Sequence, residues 1–151
     1  MLKKIIFVIL ASLIVLVLVL IYFNQPERTV IKATIKNQPL KLELALNNKQ
    51  WFDGLSNRAS LCDNCGMLFI FPDLSAKTFV MRQMNFPLDI IWLNNKTVVA
   101  YTENLPPEAS PPYTPYQSPE PVNAVLEVPA GFVKANNIKI NDVLTYEQIN
   151  Q

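Results

Sequence analysis

TVIKATIKNQPLKLELAL, residues 29–46, reads as two strands folded back on each other. Thr29 to Ile35 and Leu40 to Leu46 both alternate. Leu40, Leu42, Leu44 and Leu46 fall on one side and Lys41 and Glu43 on the other, the period-2 pattern of a half-buried strand. Lys36-Asn37-Gln38-Pro39 supplies turn chemistry between them, so a β-hairpin opens the domain. Gln50 to Ala59 breaks the alternation and is expected as a short helical or looped excursion. Three apolar segments follow at 67–71, 78–83 and 88–93, delimited by Pro72 and Pro87, because proline cannot donate to a central ladder. Asn94-Asn95-Lys96 turns the chain into 97–102, a second hairpin. Residues 122–128 resume a strand, 130–137 make about two helical turns, and 143–146 close the sheet. The pattern predicts a mainly β fold: a small antiparallel β-barrel or sandwich with one short helix near its end.

Ahead of this domain stands IIFVILASLIVLVLVLIYF, residues 5–23, with no charged side chain. As a helix rising ~1.5 Å per residue it spans roughly 28 Å, close to the ~30 Å hydrocarbon core of a bilayer. A cleaved signal peptide has a shorter apolar region that ends in small residues, whereas this one ends in IYFNQPER. The expectation is therefore a single uncleaved transmembrane helix within residues 1–25 and an exported domain over 26–151. Lys3 and Lys4 place the N-terminus in the cytoplasm, the domain outside it and the protein in the cell membrane. The lipid bilayer is the expected partner of residues 5–23.

GLSNR at 54–58, GMLFIFP at 66–72, FVMRQMNFPLD at 79–89, SPEP at 118–121 and VLEVPAG at 125–131 occur in that order. With these motifs the chain, over about residues 30–147, resembles the domain-of-unknown-function 192 family of exported prokaryotic proteins. The resemblance implies a compact, mostly antiparallel β domain with a short helix and no established reaction. The matching positions are Gly54, Leu55, Arg58, Gly66, Met67, Phe79, Met81, Pro87, Leu88, Asp89, Glu127 and Gly131. Arg82 and Gln83 stand where the family often has a Lys-Asn pair, and Cys62 and Cys65 occupy a stretch that usually lacks cysteine.

Composition limits the chemistry. There is no histidine, no G-x-S-x-G elbow and no metalloprotease signature, so hydrolysis has no visible machinery. Of thirteen lysines and arginines, Lys3 and Lys4 precede the apolar run, and the rest are balanced by twelve acids. Nucleic acid, which needs a concentrated basic face, is not an expected partner. Cys62-Asp63-Asn64-Cys65 is suited to a disulfide in an exported domain. A redox role would need a thiolate stabilised by a helix N-terminus or nearby cations, and Asp63 opposes that. Zinc would want about four ligands where two cysteines are on offer. Copper could recruit Met67, Met81 and Met84, but methionines in apolar strands are usually core filler. No cofactor and no metal site are expected.

Arg58, Asp89 and Glu127 form a second candidate group. Glu127 alternates with Leu126 and shares a face with Val125; if that face is inward, the carboxylate needs a partner. Arg58 pairing with an acid is the structural reading, and a polar pocket for an anionic or glycan ligand is the functional one. Asp89 is read as an acceptor of backbone N–H bonds at a strand entry. PPEASPPYTPYQSPEP, residues 106–121, is too proline-rich for regular helix or sheet and is read as a covering loop, its tyrosines against the sheet edge rather than in a partner's groove. Together these point to a membrane-anchored extracytoplasmic binding or envelope-associated module with an unidentified envelope or small-molecule ligand. The alternative is a thiol-disulfide redox or metal-binding protein using Cys62 and Cys65.

Overall fold

Val30–Ile35 (β1) and Gln38–Ala45 (β2) form the expected hairpin in the computed structural model, which describes residues 4, 7, 10, 12–17 and 29–147. The turn is tighter than 36–39. Lys36 and Asn37 both take positive φ, 50° and 66°, as a two-residue turn between twisted strands requires. Gln38 and Pro39 already belong to β2, opposite Ile35 and Thr34. Proline is tolerated there because the next strand joins β2 only from Lys41 onward.

That next strand, Cys65–Ser75 (β3), runs parallel to β2, from Lys41 opposite Cys65 to Ala45 opposite Phe69. This corrects the antiparallel expectation. A parallel pair needs a crossover of a dozen or more residues, and residues 46–64 provide it, carrying the one-and-a-half-turn helix Asn48–Asp53 (α1). Asn47 caps α1 by accepting the Gln50 N–H at 3.0 Å, while Gln50 Oε1 reaches back to the Leu46 N–H at 2.7 Å. Gly54, at φ +48°, closes the helix with its N–H on the Gln50 carbonyl.

The remaining elements are Thr78–Phe79 (β4), Leu88–Asn94 (β5), Thr97–Leu105 (β6), Tyr116–Gln117 (β7), Val122–Pro129 (β8), Phe132–Ala135 (α2) and Leu144–Tyr146 (β9). Seven strands make one sheet in the order β6-β5-β8-β3-β2-β1-β9, and β4 pairs with β7 alone. The sheet curls into a half-barrel. Its two end strands approach at one corner, where the Val98 N–H meets the Asp142 carbonyl and the Leu144 N–H meets the Lys96 carbonyl.

Several boundaries differ from the pattern: α2 is a single turn where about two were expected over 130–137, and β6 runs on to Leu105. Pro72 does not end β3, because a register shift against β8 between Ile70 and Ser75 takes the proline out of the ladder. The segment expected at 78–83 keeps only Thr78–Phe79 as strand, and the chain then turns at Gln83 with φ 52°. Within the proline-rich stretch, Tyr116–Gln117 pairs with β4 after all, and Tyr116 packs partly buried against the sheet as the covering reading expects.

The sheet buries both faces. Leu40, Leu42 and Leu44 of β2 point into the concave side with Leu68, Ile91, Leu93, Leu126 and Val128, closed by Phe132, Val133 and Ile138 around α2. Alternate residues of the central strands, among them Met67, Phe69, Ile90, Trp92 and Val125, face the convex side. There they are covered by α1 and by the segments 76–87 and 106–121. Strands buried on both faces read as continuous apolar runs, as β5 does from Ile90 to Leu93 after the buried Asp89.

Of the run at residues 5–23, positions 7, 10 and 12–17 are described and helical, and the rest lie outside the described residues. Among the described residues no helix is long and apolar enough to cross a membrane.

Gly66 fixes the closest backbone approach in the sheet. A Cβ there would lie 2.6 Å from the Glu127 carbonyl oxygen and 3.0 Å from a Leu42 methyl. Since one of these neighbours is ladder backbone, Gly66→Ala is expected to cost about 3 kcal/mol, through overpacking that cannot relax at a side chain. Thermal unfolding of the variant checks this, and a fall of less than about 1 kcal/mol would contradict the close approach.

Candidate functional site

The sheet register aligns Glu43 of β2, Met67 of β3, Glu127 of β8 and Ile90 of β5 in one row across four strands. The row faces the convex side. Arg58, carried by the crossover, lands over it and grips Glu43 with its two terminal guanidinium nitrogens, at 2.5 and 2.6 Å. The bidentate contact raises the Arg58 pKa from its ordinary value, partly offset by burial.

The structure does not gather Arg58, Asp89 and Glu127 into one pocket. Asp89 is fully buried and serves the concave side, where Oδ1 accepts the Asn104 N–H at 2.8 Å and Oδ2 the Val133 N–H at 2.9 Å. It therefore accepts backbone N–H bonds as expected, but from β6 and the first turn of α2 rather than its own strand entry. Arg58 pairs with Glu43 and acts on Glu127 only through its charge.

Glu127 is the anomaly. It is 6% exposed, and its Oε2 has no hydrogen-bond partner. Burial pushes its pKa up to about 8, with the Arg58 charge only partly opposing. The carboxyl is thus largely protonated at neutral pH.

It opens onto a cleft of about 260 Å³ on the convex face. Trp51 and Phe52 of α1, Phe69 and Phe71 of β3, and Phe79 of β4 supply aromatic walls. Trp51 is held by its indole N–H on the Ala45 carbonyl at 2.9 Å and lies 4.9 Å from the Phe71 ring. Phe79 stands edge-on to Phe69 at 4.9 Å and to Trp92 at 5.8 Å, a favoured aromatic geometry. Two cations flank the opening. Lys77 sits 4.5 Å from the Phe71 centroid and is bound by Asp73, at 2.9 and 3.0 Å, and by Ser75. Arg82 stacks 3.7 Å over the Phe52 ring and donates to the Phe52 carbonyl. Its Nε, also buried, has no hydrogen-bond partner. Among the described residues three buried side-chain polar atoms are orphaned, and two of them belong to residues that line this cleft, Glu127 and Arg82.

Cys62 and Cys65 are joined in a disulfide, with Cα atoms 5.1 Å apart, and neither lines the cleft. Their loop leads directly into β3 and not into a helix, and Asn64 pins it to β2 through the Lys41 N–H at 2.8 Å and the Gln38 side chain at 2.9 Å. No group of three or more metal-ligating side chains occurs among the described residues.

A family model covers residues 29–146, that of domain of unknown function 192 (DUF192), described as "Uncharacterized ACR". The chain belongs to this family. Its fold is similar to that of a candidate transcription regulator from Sinorhizobium meliloti 1021, with TM-score 0.75, 26% identity, 82% of this chain and 98% of that one covered. It is also similar to a protein of unknown function from Novosphingobium aromaticivorans DSM 12444, with TM-score 0.74, 28% identity, and coverage of 81% and 89%. No curated protein matches the chain.

Glu127 and Arg58 stand out in the sequence, whereas Glu43, Trp51, Phe71, Phe79, Lys77 and Arg82 do not announce themselves there as cleft or partner residues. Glu43 sits on the solvent-facing side of an isolated hairpin, and only the crossover above it brings an arginine. The aromatic residues read as strand core, which Phe69 is. The available signal was their density around the excursions, at Trp51-Phe52, Phe69 to Phe71 and Phe79.

Glu127 predicts a pH signature. Its folded pKa near 8 lies above the ordinary 4.5, so between those values the native state holds a proton that the unfolded chain has released. Its contribution therefore falls as pH rises through that window, by at most about 1.4 kcal/mol per pH unit. Glu127→Gln, neutral throughout, is expected to gain stability relative to wild type from pH 5 to 8 and to hold that gain above. Denaturant titrations at several pH values check this, and a pH-independent difference would contradict a buried, protonated Glu127.

Proposed function

We propose that the protein is a small-ligand-binding module tethered at the outer surface of the cell membrane by residues 5–23, with the cleft over Glu127 as its site. The observation that carries this reading is the pairing of orphaned polar atoms with apolar walls. Keeping Glu127 protonated at pH 7 costs roughly 3 kcal/mol, comparable to what burying one Leu-sized side chain yields. A leucine or methionine would fill the space without that cost. Packing therefore gives no reason for the acid, whereas a ligand that satisfies it does. Aromatic walls with a few convergent polar groups are the usual make-up of small-molecule sites.

Binding is favoured over turnover because the cleft holds one acid without a cation partner, Asp53 being bound to Lys49 at 2.5 Å. The thiol-disulfide alternative through Cys62 and Cys65 ranks lower: the pair lies away from the cleft and lacks the helix N-terminus that makes a thiolate reactive. Nucleic acid also ranks low, since acidic and basic residues balance across the exported region. The regulator description belongs to the Sinorhizobium protein and has no charge pattern behind it here.

The chain has two tryptophans, of which Trp51 lines the cleft and Trp92, bonded to Thr102 at 3.2 Å, does not. In a fragment screen of the full chain, one-ring compounds of mixed charge are expected to shift the Trp51 indole resonance and leave that of Trp92 in place. Cys62→Ser with Cys65→Ser is expected to leave those shifts intact. The reading fails if no fragment at millimolar concentration moves Trp51 selectively.

The tether is checked separately. The full chain is expected to stay with membranes through an alkaline carbonate wash and to keep its N-terminus by mass spectrometry. Release by the wash, or a mature chain starting beyond residue 23, would contradict an anchor.

A further inference from the structure

Resting on the binding reading above, we infer that the cleft selects a single-ring ligand bearing one carboxylate-like anion, with the Arg82 Nε–H and the Glu127 carboxyl as its polar partners. Size sets the first limit. At about 260 Å³ the cleft falls just under the ~300 Å³ lower end of ordinary ligand sites, which suits one ring with a short substituent. The walls set the second: the side chains of Trp51, Phe69 and Phe79 make the lining largely aromatic, which favours a ring.

Charge decides the class. An unpaired buried carboxyl inside aromatic walls would ordinarily invite a cationic ligand. Here two positive side chains already flank the opening, and each lies over an aromatic ring that such a ligand would need. Lys77 is largely neutralised by Asp73, whereas among the described residues Arg82 has only a backbone carbonyl and a ring as partners. A bound anion would supply the counter-charge that Arg82 lacks and accept from its orphaned Nε–H. Glu127 then serves as a second donor, because a protonated carboxyl offers an O–H to an anion and an ionised one repels it.

The charged groups around Glu127 are Arg58, whose charge acts on it, Glu43, locked to Arg58, and the cleft-lining Lys77, Arg82 and Asp53. Its strand neighbours in the row, Met67 and Ile90, are apolar. No other acid in this set is both buried and without a cation, so the pH dependence of anion binding is assigned to Glu127.

The test uses the full chain in an uncharged polyoxyethylene detergent, with the Trp51 indole shift as the readout. The probes are benzoate and glucuronate, their neutral counterparts benzyl alcohol and glucose, and the cation benzylamine. At least one anion is expected to bind tenfold or more tightly than its neutral counterpart, and which one does so tells an aromatic from a sugar ring. Its affinity is expected to fall roughly tenfold from pH 6.5 to pH 9 as Glu127 loses its proton. Glu127→Gln is expected to flatten that profile, and Arg82→Gln to remove the preference for the anion. Equal or tighter binding of a neutral or cationic probe overturns the anion class and leaves the binding reading standing. A pH profile unchanged by Glu127→Gln overturns the donor role of that residue. Silence of Trp51 towards all five probes overturns both readings.

Discussion

Strands β3, β5 and β8 carry apolar side chains on both faces, and a sheet built around such strands is stable only if each face is covered. The concave face covers itself by curling, until the corner between β6 and β9 meets and α2 closes the gap. The convex face has no second sheet to lie on. Its cover comes from the connections: α1 in the crossover, the turn around β4, and the proline-rich return through β7. Irregular segments pack less completely than a layer of regular structure, and the aromatic cleft lies where α1 and β4 fail to meet over β8. The position of the site thus follows from the rule that buries the sheet.

Asp89 and Glu127 show what separates a structural acid from one that calls for a ligand. Both lie in central strands, opposite or next to each other's partners, and both are buried. Asp89 has two backbone N–H groups supplied by elements that need it as much as it needs them, since β6 and α2 would otherwise carry unsatisfied donors. Glu127 is in contact with no comparable donor, and the cation nearest to it is committed to Glu43. One acid ties elements together. The other is tolerated at a cost that only something outside the chain would relieve.

Much of the fold was legible because alternation and turn chemistry are local. The hairpin at 30–45, the strands β5, β6 and β8 and the short helix after Gly131 all follow from neighbouring residues. What escaped was non-local. The parallel pairing of β2 with β3 depends on where the crossover lays the chain down, and nothing in residues 65–71 differs between parallel and antiparallel neighbours. Pro72 reads as a terminator in sequence because a bulge depends on the partner strand as well. Of the candidate site, Glu127 stood out as an acid in an apolar strand, but its emptiness of partners depends on Arg58 choosing Glu43. That choice lies in the register between β2, β3 and β8.

The disulfide belongs to the same geometry. Between Arg58 and the first residue of β3 the crossover must drop onto the sheet within a few residues, and Gly66 must follow with no side chain because β8 backbone lies against it. Joining Cys62 to Cys65, and bonding Asn64 to β2, restricts that descent a few residues after Arg58, which itself pairs with Glu43. A loop closed over so few residues gains about 2 kcal/mol by the chain-entropy account. The Arg58–Glu43 ion pair, being partly exposed, adds a net worth on the order of 1 kcal/mol of its own. Bound to Glu43, Arg58 moderates Glu127 by its charge and is too occupied to pair with it. The staple thus braces the descent that follows Arg58, whose charge lowers the raised pKa of Glu127 without abolishing the rise, and it takes no part in any chemistry at the cleft.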